Sequence, residues 1–127
     1  MKRDMPPIVV VAVCLAALAA CATEKHFSDP NTLSRLITEK SQPYILVDVR
    51  TPREYSSGHI PTAVNIPVSI IASKHPTEDR SALIIVYCAS GRRSAAAKSI
   101  LNNLGFTQVV DYGAISRWPW GLVNNSE

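Results

Sequence analysis

Two short runs of β-branched and aromatic residues constrain this chain more than anything else in it: Tyr44-Ile45-Leu46-Val47 and Leu83-Ile84-Ile85-Val86-Tyr87. Neither contains a charged or amide side chain. A strand with one wet face alternates apolar and polar residues, whereas a continuous apolar run buries both faces, which is the mark of a parallel sheet covered on both sides. Parallel neighbours need long crossovers, so helices are expected between the runs.

The intervening residues supply them. Asp29 can cap a helix that starts at Pro30 and sets Leu33, Leu36 and Ile37 on one face, ending before Ser41-Gln42-Pro43. Pro52 to Tyr55 predicts one or two helical turns, Gly58-His59-Ile60-Pro61 a turn, Ala63 to Pro67 a short strand, and Val68 to Ser73 a brief helix. His75 to Ser81 is polar and reads as a loop. From Arg93 to Leu104 the helical spacing returns, with Ala97, Ile100, Leu101 and Leu104 as the apolar face and Gly105 as the stop. Gln108 to Tyr112 is a last strand and Ile115 to Trp118 a last helical turn. A length of 127 residues with 46% hydrophobic content suits one compact domain.

The amino terminus reads differently. Lys2 and Arg3 precede an uncharged apolar run from Ile8 to Ala22. At roughly 15 residues it falls short of the ~20 needed to span a bilayer. That shape is a secretory signal. Leu18-Ala19-Ala20-Cys21 resembles the lipobox of bacterial lipoproteins, which implies cleavage after residue 20 and lipid on Cys21. The expected organisation is then a signal over 1–20, a tether over 21–27, a domain over 28–122 and a tail over 123–127. The address is outside the cytoplasm, with the membrane as a partner through the N-terminal lipid. Ala22 after the cysteine favours the periplasmic face of the outer membrane, if the source has one.

Of three cysteines, Cys14 would leave with the signal and Cys21 would carry lipid, so Cys88 is the single thiol of the mature protein. A lone exported cysteine is either a small buried apolar residue or a reactive thiol. Its position favours the second. Cys88 ends the second buried run, at the carboxyl end of a strand where α/β sheets bind ligands. Cys88-Ala89-Ser90-Gly91-Arg92-Arg93 then curls into a helix. Such a loop turns backbone N–H groups inward, and the helix N-terminus adds positive potential, so an anion at its centre is stabilised. A thiolate there has a lowered pKa and is the nucleophile. Arginines in a first helical turn oppose the dipole, so helix stability does not call for Arg92 and Arg93; an anionic substrate does.

Leu46-Val47-Asp48-Val49-Arg50-Thr51-Pro52, Glu54-Tyr55, Gly58-His59-Ile60-Pro61 and Ala63-Val64-Asn65-Ile66-Pro67 resemble the first signature of single-domain rhodaneses, the thiosulfate sulfurtransferases. Tyr87-Cys88-Ala89-Ser90-Gly91-Arg92-Arg93-Ser94 resembles their active-site loop. The resemblance implies an α/β fold with a parallel sheet of about five strands and helices on both faces. It implies that Cys88 carries sulfur as a persulfide. It also implies that the amides of Ala89, Ser90 and Gly91, with Arg93 and Arg92, bind the substrate anion. Asp48 and Arg50 are expected either to act in the site or to support the loop as an ion pair from the neighbouring strand, Ser94 to support the loop, and His59 to hydrogen-bond locally in its turn rather than act as a base. Thr62 stands where the family often has glycine, which disfavours a left-handed turn there, and Gly113-Ala114 replaces a common double glycine.

The expected activity is transfer of sulfur from a small anionic donor of the thiosulfate type to a thiophilic acceptor such as a thiol or cyanide. No cofactor and no metal are implied, since no His, Cys and carboxylate cluster has ligand spacing. A net charge of +3 with scattered basic residues leaves no nucleic-acid footprint. Two rivals remain. A carrier or interaction domain of the same fold would not need the cysteine and both arginines. A phosphatase or arsenate reductase would need arginine six positions after Cys88, where Ser94 stands instead.

Overall fold

The computed structural model describes residues 26–125, so the segment expected to be a signal, Cys14 and Cys21 lie outside the described residues. Helix α1 (Pro30–Glu39) begins as expected: Asp29 Oδ2 accepts from Thr32 N at 2.9 Å and Pro30 occupies the first turn. Its buried face is Leu33, Leu36 and Ile37. Strand β1 (Ile45–Asp48) leads to α2 (Pro52–Ser57), a short helix opened by a capping box between Thr51 and Glu54. An edge strand β2 (Val64–Asn65), the central β3 (Leu83–Cys88), α3 (Arg92–Asn103) and β4 (Gln108–Ala114) follow, with a 3-10 turn over Ile115–Arg117.

The four strands of the described residues are parallel, in the order β2-β1-β3-β4. Both faces are covered, as the apolar runs require. Leu46, Ile85, Tyr87 and Val110 meet α1 on one face; Val47, Ile84, Val86 and Cys88 meet Ala97 and Leu101 of α3 on the other. Every residue of β3 is buried. Between β3 and β4 the register slips after Val86↔Asp111, so that Tyr87 pairs with Gly113 and Cys88 with Ala114. This bulge brings Gly113 beside Gly91, where a side chain added to Gly91 would meet the Gly113 Cα at 3.8 Å.

Three expectations need correction. Val68 to Ser73 is not a helix but a succession of turns. The Val68 N–H is committed to Val49 O, and both Ser73 and Lys74 close onto Ile70 O. Leu104 is not core: it is 36% exposed, because α3 ends at Asn103 and the chain turns away at Gly105. Thr62 does adopt the left-handed backbone, with φ +74°, despite its branched side chain. Its hydroxyl bonds Tyr44 OH at 3.0 Å.

Candidate active site

The first signature closes on itself through side chains. Asp48 and Arg50, both buried, form a two-pronged pair, with Nε to Oδ1 at 3.0 Å and Nη2 to Oδ2 at 2.7 Å. Arg50 Nη2 also donates to Gly58 O at 2.7 Å, reaching the turn that carries His59. Asn65 Nδ2 donates to the carbonyls of Asp48 and Arg50 at 3.0 and 2.9 Å, tying β2 to the end of β1. Tyr55 OH donates to Ala63 O at 2.7 Å. His59 Nδ1 lies 2.9 Å from Tyr55 O and its ring stacks on Tyr55, so its contacts are local to the turn. Val123, first residue of the expected tail, exchanges backbone bonds with His59 at 2.8 and 2.9 Å.

The brace reaches the cysteine through Tyr87, the residue before it. Tyr87 is fully buried and its hydroxyl accepts from Ile60 N at 3.0 Å. Burial first, and then the Asp48 charge, push its pKa far above the usual phenol range, so it remains neutral. The sequence placed Tyr87 in a buried strand and at the head of the loop signature but assigned its hydroxyl no role; the polar end of an aromatic in an apolar run was the available signal.

Cys88 itself has no exposed surface, whereas Ala89, Ser90 and Arg92 beside it are exposed. Its Sγ accepts from Gly91 N at 3.0 Å and from Ser94 N at 3.3 Å. Gly91 makes this curl with φ +93°, a conformation natural to glycine. The Ser94 hydroxyl, 3.6 Å from Sγ, donates to Gly91 O at 3.1 Å. With the thiol protonated, S–H donates to Ser94 Oγ; on ionisation that hydroxyl becomes a donor to sulfur. Burial pushes the Cys88 thiol up, but the Ser94 hydroxyl and the N–H groups of Ser94, Gly91 and Ser90 together outweigh it, and the net shift is downward. Ser94 is buried on the face that α3 turns to the sheet, one turn ahead of Ala97.

The two arginines differ. Arg92 is exposed. Arg93 Nη1 and Nη2 donate to Glu54 Oε1 and Oε2 of α2 at 2.7 and 3.0 Å. The Arg93 bonds, helped by Thr51 and opposed by some burial, hold the Glu54 carboxyl down at about 2. Arg93 is close enough to Cys88 for a thiolate there to raise the arginine's own pKa, after the larger effect of Glu54. Glu54 was missed as a site residue. The signal was the Thr51-Pro52-Arg53-Glu54 capping pattern, which fixes a carboxylate in a known place. Two surface grooves that share Ser41 and Gln42 open elsewhere and include no residue of the Cys88 loop. Among the described residues no group of three or more His, Cys, Asp or Glu side chains is placed to hold a metal ion.

A buried thiol that accepts from two loop amides at the carboxyl end of a parallel strand places the candidate site where α/β folds bind ligands. Known proteins narrow this. The Rhodanese-like domain model matches residues 29–118. Thiosulfate sulfurtransferase PspE of Escherichia coli is 37% identical over 71 residues, covering 54% of this chain and 68% of that protein. A sulfurtransferase of Allochromatium vinosum is 32% identical over 91 residues, covering 71% and 84%. The crystal structure of a rhodanese-like domain protein from Staphylococcus aureus, 31% identical, covers 77% of this chain and 96% of its own, with a TM-score of 0.67. The chain belongs to the rhodanese-like domain family, and it is a sulfurtransferase.

Proposed function

We propose that the protein is a thiosulfate:thiol or thiosulfate:cyanide sulfurtransferase that works through a persulfide on Cys88. The observation that carries this is the pair of N–H groups, of Gly91 and Ser94, aimed at Sγ from 3.0 and 3.3 Å. The Cys88 thiolate attacks the outer sulfur of thiosulfate, the donor's S–S bond breaks, and sulfite leaves with the bonding electron pair. Cys88 then holds a persulfide whose outer sulfur is anionic, a charge the loop amides are arranged to receive. An acceptor attacks that sulfur and the Cys88 thiolate returns, as in ping-pong kinetics. The amides of Ala89, Ser90 and Gly91 with Arg92 and Arg93 hold the donor's oxygens. Asp48, Arg50 and Ser94 hold the loop.

Intact mass after exposure to thiosulfate tests this. One added sulfur atom on Cys88, removed by cyanide or a reductant, is the expected result; an unchanged mass with Cys88 reduced would favour the carrier domain. The phosphatase reading is weaker still, since the sixth position after Cys88 is Ser94 and not arginine.

The proposed address is a membrane-anchored lipoprotein facing the periplasm, supported by Leu18-Ala19-Ala20-Cys21. In bacteria the protein should partition into detergent and carry acyl chains, and Cys21→Ser should abolish both. A wild-type protein that carries no lipid would refute it.

A further inference from the structure

Arg93 meets a carboxylate before it meets any substrate. Its two terminal nitrogens grip both oxygens of Glu54, at 2.7 and 3.0 Å. Glu54 is in turn held by its own helix cap, where Oε1 accepts from Thr51 N at 3.3 Å and Thr51 Oγ1 at 3.1 Å. A carboxylate from α2 is therefore fixed on an arginine of the cysteine loop, two elements that share no sequence neighbourhood. Arg93 follows the glycine and precedes the serine whose N–H groups point at Sγ, and its charge is near enough to be influenced by a thiolate on Cys88.

We propose that Glu54 is a specificity-determining residue: its carboxylate occupies the Arg93 fork in place of the oxyanion end of the sulfur donor, which must displace it to bind. This deepens the sulfurtransferase reading above and rests on it, because it takes the donor to be an oxyanion. A carboxylate and a sulfonate each offer two oxygens to a guanidinium in the same plane, so one set of charge-assisted bonds exchanges for another. A sulfur donor without oxygens makes no such exchange. It gains nothing from Arg93. Between turnovers the Arg93 charge is neutralised, which weakens the hold of inert anions on the site.

The alternative role, fastening the loop to α2, predicts effects of opposite sign. Glu54→Gln keeps an acceptor for the Thr51 cap and removes the charge. It should lower KM for thiosulfate and make sulfate a tighter competitive inhibitor, each by about 3- to 10-fold. In an Arg93→Ala background the same substitution should give no gain, because the fork it frees is gone. Protection of Cys88 from iodoacetamide by sulfate reads the same competition without turnover. Failure of wild-type protein to form a persulfide would thus sink the sulfurtransferase reading while the protection assay still judged Glu54. If Glu54→Gln does not fold by thermal melt, Glu54→Asp withdraws the carboxylate by one methylene and should move both constants the same way by less. Unchanged or raised KM and inhibition constants, or a gain that persists without Arg93, would overturn the proposal.

Discussion

The Cys88 thiol is acidified by where hydrogens point, not by exposure, and that supports the nucleophilic role proposed for it. The thiol is fully buried, which alone would keep it protonated, and the donors from Ser94, Gly91 and Ser90 reverse that. Cys88→Ser should abolish turnover, since a serine hydroxyl is neither ionised at neutral pH nor thiophilic. Because the folded thiol pKa lies below its ordinary value, alkylation of Cys88 should rise with pH through a midpoint below that of a free thiol, near ~8.5. Ser94→Ala removes one hydrogen bond to the charged thiolate, about 1.5–3 kcal/mol, and should raise that midpoint by about one to two pH units. An unmoved midpoint would mean that the backbone amides act alone. Arg93→Ala should slow the thiosulfate half-reaction by about 10-fold or more and cyanide attack on a preformed persulfide by less, since only the first step holds sulfonate oxygens. Single-turnover rates distinguish the two.

The loop from Cys88 to Ser94 and the α2 helix depend on one another at the scale of elements. Glu54 closes the cap of α2 and also grips Arg93 at the head of α3, so one carboxylate serves two helix starts. Its pKa is depressed to about 2 from 4.5, so the pair contributes stability above the usual carboxylate value and loses it as pH falls from about 4.5 towards 2. Acid titration of the Glu54→Gln variant against wild type should therefore converge below that window. Gly91 has room for a side chain, with nothing nearer than 3.8 Å, yet its φ of +93° does not suit one. Gly91→Ala should destabilise by about 1–2 kcal/mol in urea melts and raise the Cys88 alkylation midpoint, because the strain is in the backbone that aims the amides. Thr62 carries similar strain at φ +74°, offset by its bond to Tyr44. Thr62→Gly should change stability by less than about 1 kcal/mol in urea melts, because relief of the strain is set against the lost hydroxyl bond and the freedom of glycine in the unfolded chain.

At the scale of the molecule, the buried Asp48–Arg50 pair connects the carboxyl end of β1 to the Gly58 turn, and Asn65 and Tyr87 carry the connection to β2 and β3. The sheet thus presents its carboxyl ends as one rigid rim on which the cysteine loop is seated. Asp48→Ala leaves a buried guanidinium without its counter-charge and should cost about 3–5 kcal/mol of stability in denaturant unfolding. A loss under about 1 kcal/mol would show that Arg50 finds water instead.

The alternation of buried runs with helical spacing was enough to determine a parallel α/β fold, because a strand hidden on both faces admits no other partner. Asp29 with Pro30 marked the start of α1, since capping is local chemistry. The setting of the cysteine was also legible: its place after a buried strand, before glycine and a helix, brings loop amides onto its sulfur. Elsewhere local rules failed for local reasons. Val68 to Ser73 is too short and too rich in β-branched and serine residues to propagate a helix, and anchored by Val68 N on Val49 O it closes as successive turns. Thr62 disfavours the left-handed region by itself, yet the turn between Ile60 and Ala63 imposes it. That Arg93 faces Glu54, 39 residues earlier in the chain, rather than solvent, and that Tyr87 props the Ile60 turn, followed only from the packing of α2 and α3 on a common rim. Side chains that meet across the fold are chosen by its three-dimensional closure, and no spacing along the chain records which charges that closure brings together.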